Sequence, residues 1–385
     1  MAGSNIAKNF YMKMDQTIKN NYNYPRLNKL SRFFVNKLQG KDFSKTIIIT
    51  CQHILSPQKE MFSQLIKIGF LPQNIYVLGK AYSTNREVLK EIKNMGIFIT
   101  QPKLQKDISF DNQHKENCSN LIKKSKPERK NIENIVLLDD GGVLIEQFIK
   151  QHKHSNKNIF ATEQTSSGFR KLENKKVNFP IYNVARSKIK LELETPYIID
   201  LGIKRIKEVF NVYKLKKPNI LVVGLGPIGI ELKNKLQEVY STISYDKIHG
   251  EKSIINLIVE NNIDVVVGTT GSQILSHKEI VLLNNKLNKR VFFVSISSSD
   301  REFEIWKLKD LFKENKGIHN DVVYKNITVV NNGFPITFKG NYFESTPKQM
   351  ERTICLLFSG VCLSLIENNK KGFIDFPEAI TELLK

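Results

Sequence analysis

The sequence predicts an α/β fold of two domains built on mostly parallel sheets, and three observations predict it. Strand-like apolar runs alternate with amphipathic helical stretches along almost the whole chain, the pattern of linked β–α–β units. A glycine-rich turn near residue 225 falls between one such strand and one such helix. The 385 residues, 41% hydrophobic and 25% charged, suffice for two cores of ordinary soluble composition. The expected division is a first α/β domain over 1–200, a second over 201–345, and a C-terminal helical segment over 346–385 that returns to the first.

In the first domain, Thr46-Ile47-Ile48-Ile49-Thr50 reads as a strand, Lys59 to Ile68 as a helix and Asn74 to Leu78 as the next strand. Arg86 to Met95 continues as a helix and leads into Ile97-Phe98-Ile99. A polar stretch over 101–130 is poor in apolar residues and predicts an excursion or a mobile loop. Asn134 to Leu138, a Gly-Gly turn and the helical Val143 to His152 follow. The second domain adds strands at Asp264 to Val267 and Arg290 to Ser295. Thr353 to Ile366 is the longest apolar stretch, short of the ~20 residues that cross a bilayer, and predicts a core helix.

The turn is Gly224-Leu225-Gly226-Pro227-Ile228-Gly229. Asn219 to Val223 before it reads as a buried parallel strand, and Ile230 to Val239 after it as an amphipathic helix. The first two glycines permit a tight turn and close backbone approach to a pyrophosphate. The third lets the helix pack on its strand, and the helix N-terminus offers amide donors to phosphate. A second strand, Ser241 to Tyr245, ends at Asp246, 17 residues beyond Gly229. A carboxylate there binds an adenosine ribose diol and repels a 2′-phosphate, which favours NAD over NADP. The same pattern also describes a glycine-rich strand–helix turn with nothing bound.

The formal charge of +21 comes mostly from dispersed lysines. No zinc-ligand spacing or aromatic-plus-arginine motif accompanies it, and the densest basic run, Lys123 to Lys130, reads as a solvated loop. Non-specific attraction to polyanions at low salt follows, rather than dedicated nucleic-acid binding. Cys51, Cys118, Cys355 and Cys362 form no CxxC pair, so reduced thiols in a cytoplasmic protein are expected, with no metal site. Met1 to Gln16 lacks an apolar core flanked by a cleavage site, and no secretory signal or membrane partner is predicted. His152 and His154 read as a solvated helix end, and Trp306 with Phe303 as anchors of a core helix.

Four further segments carry a resemblance: Cys51-Gln52-His53, Leu138-Asp139-Asp140-Gly141-Gly142, Glu163-Gln164-Thr165-Ser166-Ser167-Gly168, and Asn183-Val184 leading to Lys190. With the glycine turn and Val267-Gly268-Thr269-Thr270-Gly271 following in order, the chain resembles the S-adenosylhomocysteine hydrolase (adenosylhomocysteinase) family as a divergent member. The resemblance implies a substrate-binding α/β domain, a Rossmann NAD-binding domain and a homo-oligomer, dimer or tetramer. It also implies transient oxidation of a ribose 3′-hydroxyl, which acidifies the neighbouring C4′–H. The 5′ substituent then leaves, water adds and the sugar is reduced again, with the cofactor regenerated.

By position, the resemblance makes Lys190 the lysine that assists 3′-hydroxyl deprotonation and Glu194 the acid that binds the ribose hydroxyls. On a helix this i, i+4 pair shares one face; alternatively, Lys188 to Glu194 is an amphipathic surface segment. Asp140 matches the acid of the C4′ proton step and His53 the histidine near the leaving group; otherwise they are a turn aspartate and a satisfied strand-end histidine. Thr165, Ser166 and Ser167 match hydroxyls that touch NAD. Gln164 stands where many members carry a glutamate to the ribose, and Thr195 where they carry an asparagine. Thr269, Thr270 and Gly271 match a loop beside the cofactor, with Gly224, Gly226, Pro227, Ile228, Gly229 and Asp246 as its main cradle.

Departures are as specific as matches. Two family histidines fall at Ser298 and near Thr346-Pro347, and the segment after Thr195 is shorter, without the family's cysteine. Leu55 and Pro57 replace polar contacts to adenosine, and the chain ends at Leu384-Lys385 without the family's basic tail. The expected activity is therefore that of an NAD-dependent hydrolase or lyase acting on adenosylhomocysteine or a related nucleoside. The alternative is a catalytically weakened NAD-binding regulatory or nucleotide-sensing protein.

Overall fold

Thr46–Ile54, the chain's first long apolar run, is strand β1, and in the computed structural model it lies inside a seven-stranded sheet. The structure is described here over residues 22–105, 107–246, 253–297, 299–311, 317–338, 347–366 and 370–384. The chain divides into two units. One takes in Asn20–Lys103, His114–Thr195 and Ser345–Lys385; the other is built on Leu104–Gln113 and Pro196–Glu344.

The first unit's sheet contains β1, β2 (Ile75–Thr84), β3 (Phe98–Thr100), β4 (Asn134–Asp139), β5 (Asn158–Glu163), β6 (Pro180–Asn183) and β13 (Gly372–Ile374). Their order is β13-β6-β5-β4-β1-β2-β3, and every pairing is parallel. The chain moves outward from β1 through β2 to β3, then restarts at β4 on the other side of β1. Such a reversal opens a crevice at the strands' carboxyl ends. Side chains alternate between faces. Ile48, Val136 and Tyr182 join the core under helices Pro25–Lys37, Ser56–Ile68 and Pro347–Leu363. Ile47, Ile49, Cys51, Leu137 and Ile181 join the opposite core, with Leu121 of helix Phe110–Ser125 and Phe148 of helix Val143–Gln151.

The second unit's sheet contains β7 (Ile220–Val223), β8 (Thr242–Tyr245), β9 (Val265–Gly268), β10 (Val291–Ser295), β11 (Val322–Tyr324) and β12 (Ile327–Val329). Their order is β11-β12-β10-β9-β7-β8, antiparallel only between β11 and β12. The reversal falls between β7 and β9, which flank it with their loops. Leu221, Val223 and Val266 point to one core, and Ile220, Val222, Val265 and Val267 to the other. Burial on both faces explains why these strands read as continuous apolar runs.

The expectation of an excursion or mobile loop over 101–130 is corrected: Phe110–Ser125 is a sixteen-residue helix. Its buried stripe is Phe110, Gln113, His114, Cys118, Leu121, Ile122 and Ser125, at helical spacing but with four polar or sulfur side chains. A count of apolar residues therefore hides a true amphipathic pattern. Lys123 and Lys124, read as loop, are the last turn of that helix. The predicted C-terminal core helix is Pro347–Leu363, almost wholly buried, and β13 beyond it pairs with β6. No helix among the described residues is long and apolar enough to cross a membrane.

Candidate active and cofactor sites

The parallel sheet of the first unit gathers the sequence-predicted residues because each lies at or beyond the carboxyl end of a strand. His53 ends β1 and Asp140 follows β4, so the two straddle the reversal of strand order. His53 Nε2 lies 2.9 Å from Asp140 Oδ2, and Lys80 Nζ lies 2.7 Å from Asp140 Oδ1. The imidazole's other nitrogen, Nδ1, is hydrogen-bonded to the Ser83 hydroxyl, and Tyr82 meets the ring edge-on. Lys80 and Asp140 side chains are 5% and 4% exposed.

Burial raises the Asp140 carboxyl, but the Lys80 ammonium and then His53 outweigh it and hold the group well below the usual carboxylate range. Burial lowers Lys80, and Asp140 reverses that, leaving the ammonium above its ordinary value. Burial depresses His53 more than Asp140 raises it. The net arrangement is a carboxylate clamped between an ammonium and an imidazole.

Asp139 turns to the start of helix Val143–Gln151 instead. Its Oδ2 accepts from the Ile145 amide there at 3.0 Å, and Oδ1 is buried without a hydrogen-bond partner. Glu163, its register partner on β5, accepts from the amides of Gly141, Gly142 and Thr165 at 3.1, 3.0 and 2.7 Å. Burial pushes both carboxyls up; for Glu163 the Asp139 charge adds to it, the Thr165 donors oppose it, and the result is about 8.

Lys190 and Glu194 come together as the i, i+4 pair, Nζ to Oε1 3.5 Å, on a π-helical turn, Lys190–Glu194, that leads into helix Thr195–Tyr213. Lys190 Nζ donates to the Gln164 backbone carbonyl at 2.8 Å, and the Thr353 hydroxyl donates to Glu194 Oε2. The surface-segment alternative describes Leu191 and Leu193, which are exposed, but not Glu194, which is 5% exposed. Gln164 is buried and its side-chain Oε1 has no hydrogen-bond partner. Thr195 begins the next helix, half-buried.

The serine–threonine run is occupied locally. Thr165 caps helix Ser166–Leu172, accepting from the Gly168 amide at 3.0 Å and donating to Glu163 Oε1 at 2.7 Å. Its hydroxyl lies 3.2 Å from that of Ser167, while Ser166 is exposed. Leu55 and Pro57 start helix Ser56–Ile68, with Pro57 buried in its first turn.

In the second unit the glycine turn joins β7 to helix Pro227–Gln237 at the β7/β9 reversal. Gly224 has φ 101°, a left-handed conformation that glycine alone adopts readily. A Cβ on Gly229 would collide with the Gly224 carbonyl, so this glycine serves the packing of helix on turn. Gly226 is different: its φ is −70° and a Cβ there would meet no protein atom within 4 Å. The fold does not require glycine at that position, and the space beside the turn is open to a ligand. The helix N-terminus carries no side-chain cap, and Ile228 and Gly229 lie in its first turn beside Pro227.

Asp246, at the end of β8, reaches back so that the Leu225 amide donates to its Oδ2 at 2.7 Å. Thr269 follows β9 and donates to the Gly224 carbonyl at 2.8 Å, tying the two loops together. The amides of Thr270 and Gly271 donate to the buried carboxylate of Glu302 at 2.6 and 3.2 Å. A helix end without a side-chain cap, an open glycine and a carboxylate at the next strand's tip fit a dinucleotide.

Lys80, Ser83 and Glu302 touch the candidate site residues and were missed by the sequence reading. The signal for Lys80 is a lone cation inside Ile75-Tyr76-Val77-Leu78-Gly79-Lys80, an apolar strand that must bury it. Ser298, Thr346 and residues 1–21 lie outside the described residues. His152 is paired with Glu128 at 3.0 Å.

No protein-family model matches the chain. Two uncharacterised proteins of Mycobacterium tuberculosis, from strains CDC 1551 and H37Rv, are each 29% identical to it over 316 residues, 79% of this chain. The match spans 62% of the length of these curated relatives. Among solved structures the chain is similar to a dipicolinate synthase from Bacillus halodurans, at 11% identity over 85% of this chain and 100% of that one, TM-score 0.36. It is similar to an NAD-complexed D-isomer specific 2-hydroxyacid dehydrogenase from Lactobacillus delbrueckii ssp. bulgaricus, at 8% identity, coverages of 84% and 100%, and TM-score 0.33. A third is the bifunctional methylenetetrahydrofolate dehydrogenase/cyclohydrolase FolD from Campylobacter jejuni, at 10% identity, coverages of 89% and 95%, and TM-score 0.26.

Proposed function

We propose that the chain is an NAD-dependent enzyme, a divergent relative of the adenosylhomocysteinases. It would transiently oxidise a ribose 3′-hydroxyl of adenosylhomocysteine or a related nucleoside and catalyse elimination and hydration at the 5′ carbon. The observation that carries this reading is the cluster of Lys190, Glu194 and Gln164, on the same sheet ends as His53 and Asp140. NAD held at the glycine turn would supply the reversible two-electron oxidation.

Lys190 has three N–H donors; one goes to the Gln164 carbonyl and a second faces Glu194, leaving one for a sugar hydroxyl. Glu194 keeps that ammonium aimed and offers an acceptor to the neighbouring hydroxyl. The orphaned Oε1 of Gln164 would gain a donor from the same diol. Asp140 Oδ1 is held by Lys80 while Oδ2 faces the His53 imidazole, so in this reading the C4′ proton passes through the Asp140–His53 pair. The protein would act in the cytoplasm on a small nucleoside, as a homodimer or homotetramer.

A second reading, an NAD-holding regulatory or nucleotide-sensing protein, draws support from the commitment of Asp140 to Lys80, which weakens it as a base. Absorbance in the reduced-nicotinamide band separates the two. Protein purified without added cofactor is assayed for bound NAD, then mixed with adenosine or adenosylhomocysteine. Reduction that vanishes in Lys190→Ala supports the enzyme; bound NAD that no nucleoside reduces supports the sensor. Failure to bind NAD sinks both.

A further inference from the structure

We propose that the first unit contains a buried zinc site whose protein ligands are Cys51, His114 and Cys118. It stands independently of the nucleoside chemistry. Cys51 lies on β1 and faces helix Phe110–Ser125, where His114 and Cys118 are one turn apart and share a face. The Cys51 sulfur is 3.2 Å from His114 Nε2, the Cys118 sulfur is 3.6 Å from the same nitrogen, and the three atoms all lie within 4.8 Å of one another. Cys51 and Cys118 are 0% exposed and His114 5%.

These distances are those of a ligand set. Zinc bonds of about 2.3 Å to sulfur and about 2.0 Å to nitrogen, at a tetrahedral angle, place sulfur and nitrogen about 3.5 Å apart. The two observed separations straddle that value, so an ion enters with side-chain shifts of a few tenths of an ångström. Charge points the same way. Two thiolates neutralise a divalent ion, and a neutral complex escapes the large penalty for burying a net charge. Thiolate and imidazole donors select a soft or borderline ion such as zinc over calcium or magnesium, which take oxygen ligands. A water or a further ligand would complete the tetrahedron.

The site also accounts for an oddity of the helix. Gln113, His114, Cys118 and Ser125 are four of the seven residues of its buried stripe, a polar face for a helix packed in a core. A metal bridging β1 to this helix would give that polar face an attachment of its own. Because the ligands come from positions 51, 114 and 118, no compact motif announces them.

The test uses the untagged full-length chain under reducing conditions. Metal content is measured by plasma mass spectrometry after removal of loose ions, and the zinc is then exchanged for cobalt. About one zinc per chain is expected, released stoichiometrically by a mercurial reagent, with sulfur-to-cobalt charge-transfer absorption after exchange. Cys118→Ser should lose the metal, whereas Cys362→Ser, a buried cysteine elsewhere, should keep it. Zinc retained equally by Cys118→Ser would be adventitious and overturns the proposal. So does a wild-type protein that takes up neither ion, or a Cys51–Cys118 disulfide found by mass in place of metal. If Cys118→Ser fails to fold, the cobalt spectrum of the wild-type protein decides alone.

Discussion

Replacing Lys80 by methionine removes the cation from the strand-end network while keeping most of its volume. Lys80 Nζ lies 2.7 Å from Asp140 Oδ1, with both side chains at most 5% exposed. Deleting one partner of a buried pair strands the other and costs about 3–5 kcal/mol. The unit concerned has roughly 200 residues, a size at which 1 kcal/mol moves Tm by about 2–4 °C. Its thermal transition should therefore fall by about 6–20 °C.

The pH dependence has a definite sign. In the wild type the carboxyl of Asp140 sits below its unfolded value. Its contribution is thus present above the ordinary carboxylate range and lost as pH falls through the lower folded value. In Lys80→Met burial dominates and the carboxyl rises, so acid relieves the variant first. The gap in stability between the two proteins should narrow as pH is lowered from about 7 toward about 5. Lys80→Met/Asp140→Asn, which removes the stranded charge, should recover most of the loss. Urea unfolding followed by circular dichroism, at several pH values, reads all three. A loss below about 1 kcal/mol at neutral pH, or a double variant no better than the single, would refute a buried, mutually dependent pair.

The glycine turn offers a matched comparison. Gly226→Val, whose Cβ meets no protein atom, should leave the thermal transition unchanged but abolish NAD binding by calorimetric titration; intact binding would place the cofactor elsewhere. Gly229→Ala, which collides with the Gly224 carbonyl, should instead destabilise the second unit by about 1–3 kcal/mol, read by urea unfolding, and a neutral result would deny the close packing. Glu163, pushed up to about 8 from an ordinary 4.5, binds a proton in the folded state that the unfolded chain has released. Its contribution is therefore full below about 4.5 and lost as pH rises toward about 8. Glu163→Gln should flatten that slope while lowering stability overall, and an unchanged slope would show that Glu163 does not carry the proton.

What the sequence discloses and what it hides have a common physical origin. The glycine turn is legible because each of its constraints is local: a left-handed φ at Gly224, an open position at Gly226 and a collision at Gly229. The strand-end residues are legible for a different reason. Parallel topology brings every carboxyl end to one side, so His53, Asp140, Gln164 and Lys190 need only follow their strands to be neighbours. Lys80 escapes because it sits within a strand, where sequence reads as packing, and its meaning comes from a carboxylate 60 residues away. Helix Phe110–Ser125 escapes because its buried face is built from Gln113, His114, Cys118 and Ser125, which composition scores as polar. Both omissions are buried polar side chains, but only Lys80 depends on a carboxylate far along the chain, whereas Gln113 and Ser125 are met by nearby backbone carbonyls. A buried cation whose carboxylate lies 60 residues away is sensitive to losing that single neighbour, and for that reason Lys80 is the sharpest probe of the arrangement around His53 and Asp140.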